Sequence, residues 1–164
     1  MNEEVKLKNM HDDPGQHLRH FILLQFAYLL NGDFEASLLQ REYLPSEVSH
    51  ANSIVIVQIA ESLCALKKWD EAKALLEELL ELPPPKFETI HTSDSIKCHD
   101  ANAKGLLAGI ISESDPIQSE KLYLEAIAEF EAGMNIKMQT TRIQRPLRNI
   151  QIRLAELKEA ASDD

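Results

Sequence analysis

The sequence predicts an all-α protein, and three observations carry that expectation. There are five glycines in 164 residues, and long segments hold neither Gly nor Pro, which is too little punctuation for a strand-and-turn architecture. Apolar residues recur at helical spacing in seven successive segments. No stretch carries the alternating pattern of a hairpin strand bounded by a tight turn.

Taken in order, residues 1–14 read as a flexible polar tail, 15–160 as one helical domain with a real core, and 161–164 as a disordered end. After Pro14 and Gly15, the positions Leu18, Phe21, Leu24, Tyr28 and Leu29 mark a first helix. Asn31 to Asp33 supply a stop and a new cap. A short second helix from Phe34 ends at Pro45. The third segment, Ser46 to Lys68, contains "SIVIVQIA", which is β-branched enough to pass for a buried strand. No turn residue interrupts it, its length exceeds a strand, and Ala51, Val55, Ile59 and Leu63 line one face, so it reads as helix.

"KKWDEAKALLEELLELPPP" follows, capped near Asp70. Ala72, Leu75, Leu76, Leu79 and Leu80 form one apolar stripe, and Pro83 to Pro85 end the helix because the residue before a proline is pushed out of the α region. Residues 86–92 read as a loop and 93–113 as a fifth helix. The sixth has Pro116 in its first turn and Gly133 just past its end. The seventh covers about 142–160, with Pro146 marking its first turn.

The stripe in the fourth helix stops after about two heptads, too soon for a zipper. A repeat of helical hairpins fits better. From Ser53 to Lys86, Ile56, Ile59, Ala60 and Leu63 fall on the first helix of such a hairpin. Trp69, Ala72, Leu76 and Pro84 fall on the second, with the small residues where two helices cross closely. This arrangement resembles the 34-residue tetratricopeptide repeat (TPR). Asp100 to Glu131 resembles a weaker copy, through Ala103, Leu106, Ile110, Ser119, Tyr123 and Ala126, with Leu107 where a small residue belongs. His17 onward matches in its first half only: Phe21, Leu24 and Tyr28 fit, while Arg41 stands at the Phe place. The resemblance implies a TPR-like helical-hairpin solenoid of about three hairpins with a C-terminal capping helix. Trp69 and Ala72 would hold the second hairpin closed. Helices of more than 20 residues at 46–68 and 93–113 depart from the family pattern, and a closed helical bundle is the alternative.

Net charge is −10. Residues 1–133 carry 11 Lys/Arg against 23 Asp/Glu, and residues 134–164 carry 6 against 4. An acidic body repels a phosphate backbone, so nucleic acid is not an expected partner. No run of about 18 apolar residues suggests a membrane span, and no apolar leader is visible. Two cysteines give no disulfide framework, and a cytoplasmic setting is the expectation.

Two constellations have possible chemistry. His11, Asp12, Asp13, His17 and His20 are potential zinc ligands, but the acids sit on the tail, and a solvated helix start accounts for them. Cys98, His99 and Asp100 offer a thiol, an imidazole and a carboxylate, but sequence neighbours on a helix do not face one another. Cys64 reads as a small core residue. No phosphate loop or dinucleotide fingerprint is present. The expectation is no enzyme, no cofactor and no metal, with a metal- or Cys/His-dependent enzyme as the alternative.

In the solenoid frame the first helix of each hairpin lines a concave groove. It would carry Ile22, Phe26 and Leu29, then Ile54, Val57, Glu61 and Cys64, then Lys104, Ala108 and Ile111. The Lys/Asn set with which the family clamps a peptide carboxylate is missing. An apolar groove suits an amphipathic helix or an extended apolar peptide of another protein. The resemblance therefore implies an adaptor, an assembly subunit or a peptide-holding chaperone, unless another helix of the chain or a second copy covers the groove. The last helix has a stripe of Ile143, Leu147, Ile150, Leu154 and Leu157, edged by Arg142, Arg145, Arg148 and Arg153. It reads as a solenoid cap or as a second surface for an acidic or helical partner.

Overall fold

The computed structural model describes residues 14–39, 48–83, 90–134 and 140–162, with side chains at all of them except 14–19, 21, 90–96, 133, 134 and 140–142. Among the described residues every regular element is helical. The α-helices are α1 (Pro14–Asn31), α2 (Phe34–Leu39), α3 (Ser53–Ala65), α4 (Trp69–Leu80), α5 (Ile90–Ile111), α6 (Pro116–Met134) and α7 (Thr140–Ser162), with one 3₁₀ turn at His50–Asn52.

The turns follow from identifiable residues. At the end of α1, Gly32 takes φ 74°. The Asp33 N–H donates to Tyr28 O at 3.0 Å and the Gly32 N–H to Leu29 O at 3.2 Å, a Schellman stop. Asp33 Oδ1 then accepts from the Ala36 N–H at 3.2 Å and caps α2. The α3–α4 turn repeats the Schellman geometry. The Lys68 N–H donates to Leu63 O at 2.9 Å and the Lys67 N–H to Cys64 O at 3.0 Å. Here a lysine, Lys67, holds the left-handed position, at φ 59°. Asp115 caps α6 by accepting from the Gln118 N–H at 2.9 Å, and Pro116 is the first helical residue.

Several boundaries differ from those predicted. The third segment is broken: α3 spans 13 residues and is preceded by the 3₁₀ turn, where the Ser49 N–H donates to Asn52 Oδ1 at 2.9 Å. That local side-chain bond competes with helix in the stretch before Ser53. α5 begins at Ile90, inside the expected loop. Gly133 lies within α6, not beyond it. Pro146 lies within α7 rather than in its first turn, because the helix starts at Thr140. Residues 1–13, 40–47 and 84–89, and with them the Pro45 stop, lie outside the described residues.

Successive helices pair as α1 with α2, α3 with α4 and α5 with α6, and each pair packs on the next. α7 lies on α5 and α6. The main core joins α3 through α7 and includes Ile56, Val57, Leu76, Leu107, Tyr123, Phe130, Ile143, Leu147, Ile150 and Leu154. A smaller cluster, Val55, Ile59, Leu63 and Ala72, receives Ile22 of α1 and Leu38 of α2. The predicted apolar stripe of α7 is therefore buried from Ile143 to Leu154. Its seat is made by glycines. A Cβ at Gly105 would collide with Ile150 Cδ1 and stand 2.6 Å from Ile150 Cγ1, and one at Gly109 would stand 2.9 Å from Arg153 Nη1.

Candidate interaction surface

α7 reaches α3, one of the helices expected to line the groove. Arg145 of α7 reaches Glu61 of α3 at 4.0 Å, and Lys158 reaches Glu120 of α6 at 3.2 Å. Arg153 hydrogen-bonds the Tyr123 hydroxyl, whose pKa burial raises against that bond and charge. Burial raises the Glu61 carboxyl above the ordinary range, with the Arg145 charge opposing. Burial also pushes the Cys64 thiol up to about 11, against the pull of Arg153. A thiol held that high stays protonated and is a poor nucleophile.

The anticipated groove residues consequently do not form one open surface. Val57 is 3% exposed and belongs to the main core. Ile54 is half-buried against the smaller cluster, and Ile111 against the main core. Glu61 faces Arg145. Lys104 is turned to α6, with Nζ 2.6 Å from Glu129 Oε1 and 3.2 Å from Glu125 Oε2. Burial disfavours its charge, but these two carboxylates outweigh that and raise its pKa. Ile22 and Leu29 are half-buried, and Phe26 stands out at 45% exposure. On α7, Arg145, Arg148 and Arg153 are exposed, while the Arg142 side chain lies outside the described residues.

Among the described residues, four exposed large apolar side chains share α1. Leu23 is 63% exposed and Leu30 58%, and Leu24 and Phe26 are exposed as well. With Ala27 they occupy one side of the helix at 100° per residue. The opposite side carries Gln25, which is fully buried, and neither its Oε1 nor its Nε2 finds a hydrogen-bond partner. The helix is thus turned with the Gln25 amide inward and four large apolar side chains outward. Sequence reasoning missed this. It placed the open face on Ile22, Phe26 and Leu29, of which Phe26 is exposed and the other two half-buried, and the uncharged run from Phe21 to Gly32 marks no one side of the helix. Between α2 and the α3–α4 turn, Glu35, Leu38, Leu39, Leu66 and Lys68 line a recess.

The polar constellations are drawn into structural roles. His99 Nδ1 lies 2.7 Å from Ser53 Oγ, but Ser53 is buried and its hydroxyl also donates to His50 O at 3.0 Å. His50 Nε2 meets Pro83 O at 2.8 Å. Burial raises the pKa of Asp100, the His50 and Lys104 charges opposing and Glu129 adding to it. Of the potential zinc ligands near the start, for which a solvated helix start is the expectation, only the side chain of His20 is described. Among the described residues no group of three or more His, Cys, Asp or Glu side chains could hold a metal ion. Nor is any described helix long and apolar enough to cross a membrane. No protein-family model matches this chain, and neither a curated protein nor a solved structure matches it significantly.

Proposed function

We propose that the chain is a protein–protein interaction module built on a TPR-like stack of helical hairpins. In this reading it docks an apolar or amphipathic protein segment on the outward side of α1. Burial at the repeat places supports the stack: Ile56, Ile59, Ala60, Leu63, Ala72 and Leu76 are all buried. So does the packing of α5 against both α3 and α4, which carries one hairpin onto the next. Two features depart from the family pattern. Trp69 is 47% exposed and does not close its hairpin from inside, and α5 is 22 residues long.

The observation that carries the docking reading is the outward set of Leu23, Leu24, Phe26 and Leu30. A contiguous apolar patch on a monomer usually marks a contact site. Each such side chain contributes about 1.5–3 kcal/mol when fully covered, enough in sum for binding after the cost of association. The test is affinity capture with the parent chain, with Leu23→Asp/Leu30→Asp, and with Ile117→Asp, a control on α6 at an exposed apolar position. Helicity and melting temperature are checked in parallel. The account expects captured proteins to be lost only with the α1 variant while all three stay folded. Equal capture by all three would contradict it.

A further inference from the structure

We propose that the partner on this face is a second copy of the chain, paired through α1 about a two-fold axis. The proposal rests on the docking reading above and names its occupant.

Charge argues first. From Phe21 to Gly32 the chain carries no Asp, Glu, Lys or Arg, whereas the molecule as a whole has a net charge of −10. A face for a charged partner would be rimmed by charge of the opposite sign. Bringing two copies of an acidic protein together costs least where neither carries charge, and this side of α1 is such a place.

Spacing argues second. A two-fold interface must be self-complementary, each residue meeting its mirror in the sequence. Antiparallel pairing centred on Ala27 sets Leu24 against Leu30 of the second copy in both directions, Phe26 against the half-buried Tyr28, and Leu23 against Asn31. Leu24, Leu30 and Ala27 are all exposed, and Ala27 at the centre keeps the helices close.

Area argues third. The four large side chains expose roughly 400 Å² of apolar surface, near the size of a functional patch. That is about half of the ~800 Å² per partner of a standard interface. His20, Ala27 and Asn31, exposed along the same side, add a rim. The dimer is therefore small in area and belongs with weak, transient interfaces. Because its two halves repel at long range, it tightens as salt rises.

Sedimentation velocity of the purified chain over a wide concentration range tests the proposal at low and high salt. The expected result is a monomer–dimer equilibrium that shifts toward dimer with added salt. Leu24→Asp/Leu30→Asp should raise the dissociation constant at least about 100-fold, since each change enters the interface twice, and Ile117→Asp should leave it unchanged. A variant that needs no disruption guards against misfolding: Ala27→Cys, with Cys64→Ser and Cys98→Ser, should form a chain-to-chain disulfide on oxidation. A parent that stays monomeric throughout overturns self-pairing, and if capture still depends on α1 the docking reading survives without it. A dimer that persists in Leu24→Asp/Leu30→Asp, or that forms no disulfide through position 27, also overturns the proposal.

Discussion

Substituting Gly105 by alanine probes the contact that holds α7 in place. Its Cβ would stand 2.6 Å from Ile150 Cγ1 and closer still to Cδ1, well inside ordinary carbon–carbon contact. Rotation about χ2 of Ile150 can move Cδ1 but not Cγ1. Ile150 is buried, so relief requires a new χ1 or a shift of the whole helix. Overpacking of this kind costs about 1–3 kcal/mol. Alanine in place of glycine in a helix interior returns about 0.5–1 kcal/mol. The expected net loss is about 0.5–2 kcal/mol, read by urea unfolding with the slope unchanged. Ile150→Val, which removes Cδ1, should make the alanine less costly, so the double-mutant cycle should show favourable coupling. If Gly105→Ala raises stability by the ordinary helix increment, α7 does not seat on α5 as described.

Three further outcomes follow from single residues. Gln25→Leu replaces a buried amide that has no partner by an apolar group of similar size, and should raise unfolding stability by about 1–3 kcal/mol. Lys67→Gly relieves a left-handed lysine at φ 59° and should stabilise by about 0.5–1 kcal/mol, measured by thermal melting. Glu61→Gln concerns pH. The carboxyl is raised above 4.5 by burial, so the folded state binds its proton more tightly than the unfolded state. The stability linked to Glu61 is then fully present below 4.5 and is lost as pH rises through the raised value. Glu61→Gln should therefore raise the melting temperature at neutral pH, and the gain should shrink toward pH 4. An equal gain at both pH values would place Glu61 in water.

Much of the helical architecture was legible because its signals are local. Asp33, Asp115 and Pro116 act at helix starts as their chemistry requires. The stripe of α7 reads as an apolar helix face because it repeats at i, i+4 and i+7, and its residues from Ile143 to Leu154 are buried. What was not legible depended on rotation and on distant partners. In α1 the apolar residues surround the helix almost completely, so no polar side announces which way it faces, and Gln25, the residue that would ordinarily point to water, points inward. Lys104 seemed alone in sequence because its carboxylates, Glu125 and Glu129, come from α6. Val57 fits an open groove in sequence but belongs to the main core, which α3 shares with helices distant in the chain. The seat for that helix was written as Gly105 and Gly109, one turn apart, a spacing that has no meaning until the partner helix is known.

The central claim is that the outward side of α1 is a contact surface for protein. It is tested most directly by replacing Phe26, which is exposed, with the photocrosslinker p-benzoylphenylalanine in the full chain, irradiating at working concentration in cells, and comparing it with the same label at Ile117. The account predicts intermolecular products from position 26, to a second copy or to another protein, and none above background from position 117. Intramolecular products alone from position 26, or equal yields from the two positions, would contradict it.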